Sequence, residues 1–116
     1  MTLQRRLSLW APVVLWAGVI FGLSSIPSLS SGLGAWDEVL RKCAHLTEYA
    51  VLGMLLLRAL GSVLPAFALG IAYAITDEVH QHFVSGRHSS PLDVAIDSTG
   101  VLIGVLVFVR ARRWVD

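Results

Sequence analysis

A group of ionisable residues closes an apolar segment in the middle of the chain. The segment from Ala66 to Ile75 is almost entirely apolar, and it leads directly into Asp77, Glu78 and His80. Charged side chains are costly inside a bilayer, and those found there usually face the protein interior or a water-filled cavity. This stretch therefore predicts either the polar end of a membrane span or a working site within one.

Composition places the chain among membrane proteins. Its 116 residues suit a single domain, but 55% are hydrophobic and only 15% are charged, which is too apolar for an ordinary soluble fold of this size. The net charge of +1 gives no basic field, so we predict no nucleic-acid partner. The single cysteine, Cys43, excludes an internal disulfide and a cysteine-rich zinc motif.

Four apolar segments predict an all-α bundle of four transmembrane helices in one domain, residues 1–116. The predicted spans are about 7–25, 39–60, 64–83 and 92–109. A cleavable signal peptide is the alternative for the first, since it has a charged start and small residues at its end, but its apolar run is long for one. Between the spans, Ile26 to Trp36 and Ser85 to Leu92 are rich in Ser, Gly and Pro and predict loops.

The distribution of basic residues predicts the orientation. Five arginines lie at the two chain ends, and four spans bring those ends to one side: Arg5, Arg6, Arg110, Arg112 and Arg113. Cytoplasmic segments carry an excess of Lys and Arg, so we predict that both termini are cytoplasmic. The polar ends of the second, third and fourth spans then face outward.

Helical rise predicts two polar layers at that outer end. His45 and His80 lie about 4 to 6 Å below the outer helix ends, with Asp93 near the mouth. Three carboxylates lie about 9 to 10 Å down: Glu48, Asp77 and Asp97. Three carboxylates at one depth cannot face lipid, so we predict a polar cavity open to the outside. A buried polar network that only clamps the helices together is the alternative.

Two further interpretations concern ligands. Arg41, Lys42 and Arg87 at the outer rim suit a phosphate, pyrophosphate or carboxylate, although headgroup anchors are equally compatible with them. We predict no cofactor, with a divalent metal as the less favoured alternative because carboxylate and histidine pairs three residues apart bind metals in some bundles. Its candidate ligands are two such pairs: His45, Glu48, Asp77 and His80.

The order and spacing of these residues resemble the VanZ-like family. The shared pattern runs from Arg41 to Gly104 on three helices, and it includes Arg41-Lys42, Asp77-Glu78, and Gly100 with Gly104. The resemblance implies a small, multi-pass protein of the bacterial plasma membrane, whose founding member is linked to low-level resistance to teicoplanin. It implies no settled reaction. Ten positions carry the family motif: Lys42, His45, Glu48, Asp77, Glu78, His80, Gln81, Arg87, Asp93 and Asp97.

Two functions remain open. The first is a cell-envelope protein that binds an anionic lipid, glycan precursor or envelope polymer through the basic rim, and so affects susceptibility to glycopeptide antibiotics. The second is a membrane enzyme that acts on a lipid-linked phosphate, with a histidine as general acid or base. Its candidate catalytic residues are His45, Glu48, Asp77, Glu78, His80, Gln81, Asp93 and Asp97.

Overall fold

The computed structural model describes residues 2–25, 35–84 and 90–115, and their regular structure is entirely α-helical. Four helices follow one another: α1 (Leu3–Ser24), α2 (Ala35–Leu60), α3 (Val63–His82) and α4 (Pro91–Val115). The predicted all-α fold with four helices is confirmed. Each predicted span overlaps one helix, but the first and third spans extend one residue beyond α1 and α3, and α2 begins earlier than predicted and takes in Trp36.

Local chemistry sets the helix ends. Thr2 Oγ1 accepts a hydrogen bond from the Arg5 amide at the start of α1. At the start of α4, Ser90 and Asp93 exchange side-chain and backbone hydrogen bonds in a capping box, and Pro91 occupies the first helical position. Gly61, with φ of 76°, ends α2 in the left-handed conformation that glycine adopts without strain.

Contacts between the helices show that neighbours in sequence run in opposite directions. From α1 to α2, Arg58 bonds the Ser8 carbonyl and Trp16 bonds the Glu48 carbonyl, so residue numbers rise on one helix and fall on the other. From α2 to α4, residues 42 and 45 meet residues 93 and 97, so these two helices are parallel. The start of α1 and the end of α4 therefore lie at the end of the bundle opposite the acids of α2, α3 and α4.

Glycine allows α2 and α4 to pack with their backbones in contact. A Cβ atom at Gly53 would overlap the Val101 carbonyl oxygen, and one at Gly104 would overlap that of Ala50. Gly100 faces the Leu46 carbonyl in the same way. Small residues at four-residue spacing permit such close approach in membrane helices. Gly100 and Gly104 thus pack inside the fold rather than on an outer face.

Three helices of the described chain are long and apolar enough to cross a membrane: Leu3–Ser24, Trp36–Leu60 and Pro91–Arg112. The fourth, α3, has 20 residues but carries Asp77, Glu78 and two histidines in its last turns. Large apolar side chains project outward from the bundle, among them Leu15 at 71% exposed and Leu64 at 79%. Such a surface suits a lipid environment.

Candidate functional site

The polar residues gather at the end of the bundle where α1 and α3 finish and where α2 begins to pack on the start of α4. Four side chains from three helices converge there, and we call them the acid–histidine cluster: His45, Asp77, Glu78 and Asp97. One potential ligand atom from each lies within 4.8 Å of the others. Asp77, Glu78 and Asp97 are buried, and His45 is half-buried at the edge.

Two hydrogen-bonding contacts orient the cluster. His45 Nδ1 lies 3.1 Å from Asp97 Oδ1, which joins α2 to α4. The Tyr49 hydroxyl donates to Asp77 Oδ2 at 2.8 Å, which joins α2 to α3. Tyr49 is completely buried, so this bond is shielded from competing water. Each of these two aspartates therefore uses one carboxylate oxygen for a partner within the protein.

The remaining oxygens of the cluster lack partners. Asp77 Oδ1, Asp97 Oδ2 and both carboxylate oxygens of Glu78 are buried without a hydrogen-bond donor. The three residues are only 2%, 0% and 4% exposed, respectively. Buried carboxylates in this state require protons or a cation, because the loss of water is otherwise uncompensated. The cluster is therefore chemically incomplete when protein groups alone are considered.

The end of α1 extends the polar network. Gln81 Nε2 donates to Ser24 Oγ at 3.1 Å, and it also lies 3.4 Å from His45 Nε2. His80 turns toward α1, where Nε2 lies 2.9 Å from Ser25 Oγ and its ring stacks on Phe21. The two histidines predicted to share a layer thus have different neighbours.

The structure assembles a different set of residues from the predicted layers. Asp77 and Asp97 do share the deep site, but Glu78 joins them, whereas Glu48 and His80 lie outside the cluster. His45 was assigned to the upper layer, yet it contacts Asp97 of the lower one. Counting the rise along separate helices gave depth alone, and it could not give the stagger or rotation of the helices that decides which side chains meet.

Sequence reasoning missed two contributors. Tyr49 is absent from the predicted site residues, but its hydroxyl donates to a cluster carboxylate. Ser24 is absent from them as well, but it accepts a hydrogen bond from Gln81. A signal for Tyr49 was present, since it follows His45 by four residues and therefore lies on the same helix face.

Basic residues stand at the rim, and each has an acidic neighbour. Lys42 Nζ lies 3.3 Å from Asp93 and 3.5 Å from Glu38. Arg41 lies 3.9 Å from Glu38, and both basic side chains are 32% exposed. Arg87, the third predicted anion ligand, lies outside the described residues.

A polar cleft connects this rim with the cluster. It leaves about 10 Å³ for the centre of a water-sized molecule, roughly the room that one water needs. The polar residues that line it come from α2, α3 and α4: Arg41, Lys42, His45, Gln81, Asp93 and Asp97. The cleft can thus hold a water or a bare ion, whereas a larger group has room only at its mouth.

An apolar groove lies beside the cleft, between α2 and α4. Its volume is about 380 Å³, and its apolar lining includes Leu46, Leu92 and Ala95. Lys42 lines both the groove and the polar cleft. The apolar groove and the charged rim therefore meet at the Lys42 side chain.

Comparison with known proteins gives the family of this chain. The profile of the VanZ/LLP1 family matches residues 5–112, which is nearly the whole chain. The chain belongs to the VanZ/LLP1 family. Curated proteins and solved structures gave no match. VanZ/LLP1 membership and three helices suited to a bilayer together make this a VanZ-like, multi-pass membrane protein. The resemblance read from the sequence is confirmed.

Proposed function

We propose that this VanZ-like protein binds an anionic lipid of the cell envelope, with its chain in the α2–α4 groove and its headgroup at Lys42. The observation that carries the proposal is the position of Lys42, which lines both the apolar groove and the polar cleft. A lipid needs these two environments side by side. Membrane-facing grooves that end at a cationic side chain provide both.

The basic side chains at the rim can exchange their acidic partners for the phosphate of a lipid headgroup. Lys42 and Arg41 are partly exposed, and their contacts with Glu38 are long. Ion pairs of this kind contribute about 1 kcal/mol or less, so a phosphate group can replace an acidic neighbour at little cost. Lysine and arginine are common phosphate ligands, and Arg87 is a further candidate of the same type.

Orientation is part of the proposal. We infer that α3 also crosses the bilayer, since its 20 residues are long enough, and that the rim faces outward. Arg5, Arg6, Arg58, Arg110 and Arg112 are exposed at the opposite end of the bundle, as expected for a cytoplasmic face.

Topology has a direct test in intact bacteria. In a Cys43→Ser background, a membrane-impermeant thiol reagent should label a cysteine that replaces Ser89. It should leave a cysteine that replaces Arg112 unlabelled until the cells are opened. The reverse labelling pattern would overturn the orientation.

Lipid binding is tested on the purified full chain by native mass spectrometry. The probes are polyprenyl diphosphate, polyprenyl phosphate, phosphatidylglycerol and zwitterionic phosphatidylcholine. We expect the anionic lipids to bind preferentially. Lys42→Met should weaken the binding of these lipids by about 5- to 10-fold, equivalent to about 1 kcal/mol per basic side chain. Ala95→Phe should weaken every lipid, because it fills the groove.

Arg110→Met is the matched control, since it removes an exposed positive charge at the other end of the bundle. It should leave binding at the rim unchanged. Equal losses for Lys42→Met and Arg110→Met would mean that net charge alone attracts the lipid, and the proposed site would then be wrong.

The consequence proposed for the cell is altered susceptibility to teicoplanin-type antibiotics. Expression in a susceptible bacterium should raise the inhibitory concentration of teicoplanin, and Lys42→Met should remove that effect at equal protein abundance. Unchanged susceptibility would separate lipid binding from antibiotic protection.

One contact favours an enzyme that acts on a lipid-linked phosphate as the second candidate. His45 lines the cleft and lies 3.1 Å from the buried Asp97, and a carboxylate in this position can orient an imidazole as general base. Release of inorganic phosphate from polyprenyl diphosphate, lost in His45→Asn, would support it. Absence of turnover with lipids that bind would favour the non-enzymatic function.

A further inference from the structure

We propose that the acid–histidine cluster binds a single divalent transition-metal cation through His45, Asp77, Glu78 and Asp97. The four residues come from α2, α3 and α4, so an ion at their centre would tie three helices together. The metal site does not depend on the lipid site at Lys42, and each is tested without the other.

The unpartnered oxygens carry the inference. Glu78 is 4% exposed, and both of its carboxylate oxygens are buried without a donor. Asp77 Oδ1 and Asp97 Oδ2 are in the same state, and they belong to the same group of four. Three carboxylates that are withdrawn from water need protons or positive charge. A shared proton satisfies two carboxylates at most, whereas a single cation can satisfy all three together.

The dimensions agree with a single ion. Bonds from a transition metal to carboxylate oxygen or imidazole nitrogen are about 2.0 to 2.2 Å long, so opposite ligand atoms stand about 4.2 Å apart. The four candidate atoms lie within 4.8 Å of one another, so small side-chain adjustments suffice to close the site. The cleft that reaches His45 and Asp97 has room for about one water, which gives an entry path and space for a further ligand.

Neighbouring contacts leave the right atoms free. Tyr49 bonds Asp77 Oδ2 and leaves Oδ1 for the ion. Gln81 lies beside His45 Nε2, while Nδ1 points to Asp97. Metal ligands in proteins usually have such outer partners, which fix the orientation of the ligating group. The 3.1 Å between His45 Nδ1 and Asp97 Oδ1 equally suits two ligands on one ion.

The donor types narrow the choice of metal. One imidazole nitrogen with three carboxylates suits manganese, iron or zinc, whereas calcium and magnesium prefer oxygen ligands alone. This set differs from the pairs expected from spacing, because Glu78 and Asp97 take the places of Glu48 and His80.

The test uses the full chain purified in detergent without chelator. Elemental analysis should find one metal per chain. After treatment with EDTA, Zn²⁺ or Mn²⁺ should raise the melting temperature by about 5 °C or more at concentrations far above the dissociation constant, while Mg²⁺ should have less effect. Protein loaded with Mn²⁺ should show one imidazole nitrogen by pulsed electron paramagnetic resonance.

Variants locate the ion. Glu78→Gln should lose the metal and its thermal response, and Tyr49→Phe should weaken binding by about 10- to 100-fold as an outer partner. Glu48→Gln and His80→Asn should keep one metal per chain. If Glu78→Gln does not fold, the metal content, the thermal response and the nitrogen signal of the unchanged chain still answer the question.

Three results would overturn the proposal. The first is a chain without metal whose melting temperature responds to none of the cations, since the carboxylates would then be protonated. The second is a metal that remains in Glu78→Gln but is lost in Glu48→Gln or His80→Asn. The third is a manganese spectrum with no imidazole nitrogen or with two.

Discussion

The packing of α2 against α4 has two halves that are built by opposite means. Toward the chain ends, glycines bring backbone against backbone, and the side chains around them are apolar, including Leu57 and Val105 at 0% exposed. Toward the rim, the same two helices enclose His45 and Asp97, with carboxylate oxygens left unpartnered.

The two halves differ in whether protein groups alone complete their contacts, and this difference distinguishes packing for stability from a candidate site. Close packing at the glycines is complete within the protein, because dispersion contacts and apolar burial need no further ligand. The acid–histidine cluster is far more costly than a clamp requires, since contacts between membrane helices typically contribute about 0.6 to 2 kcal/mol. We therefore expect the rim half of the bundle to carry the functional site and the glycine half to hold the helices that position it.

The largest expected effect is on the glycine half. Gly104→Ala places a Cβ where the Ala50 carbonyl lies, so α2 and α4 must separate. We expect a loss of about 3 kcal/mol in the free energy of unfolding, measured by denaturant titration in mixed micelles. Gly18→Ala is the matched control, because nothing lies within 4 Å of its Cβ position, and it should be neutral or slightly stabilising. Equal losses at both positions would contradict the role of glycine in the close packing of α2 against α4.

The next effect concerns the hydrogen bond between Tyr49 and Asp77. Tyr49→Phe removes the hydroxyl that donates to the buried Asp77 carboxylate, and we expect a loss of about 2 kcal/mol in the free energy of unfolding. In an Asp77→Leu background, where the side chain offers no acceptor, the same change should cost much less. Additive losses in this double-mutant cycle would mean that the two side chains do not interact.

A smaller effect is expected where α1 meets α2. Trp16→Phe removes the indole donor to the Glu48 carbonyl, and we expect a loss of about 0.6 kcal/mol from the hydrogen bond. Trp36→Phe is the comparison, since Trp36 is 64% exposed, and it should leave the melting temperature unchanged. A larger loss for Trp36→Phe would place α1 outside the bundle.

The smallest effect on stability is expected at the rim. Lys42→Met removes contacts with Glu38 and Asp93 that are partly exposed, so the free energy of unfolding should change by about 0.5 kcal/mol or less. Lipid binding should nevertheless fall. A large loss of stability with unchanged lipid binding would make Lys42 a structural residue and would remove the contrast between the two halves.

The sequence alone was sufficient to predict the helices and which of their ends are polar. Four apolar segments separated by loop-forming residues predicted the helices, because length and hydrophobicity are local properties. The pattern of α2, α3 and α4 also carried the family, which the profile match confirmed. Four-residue spacing also places Gly100 and Gly104 on one helix face, but only the structure shows that α2 covers that face.

Only the tertiary structure decided which polar side chains meet. Helical rise gives depth, but the rotation of each helix about its axis brought Glu78 into the cluster with Asp97, turned His80 toward Ser25, and left Glu48 outside. Rotation follows from the packing of whole faces, including the close glycine contacts that α2 and α3 make with α4. Those contacts depend on residues distant in sequence, so the charges and their approximate depth were readable from the chain, while the composition of the site was not.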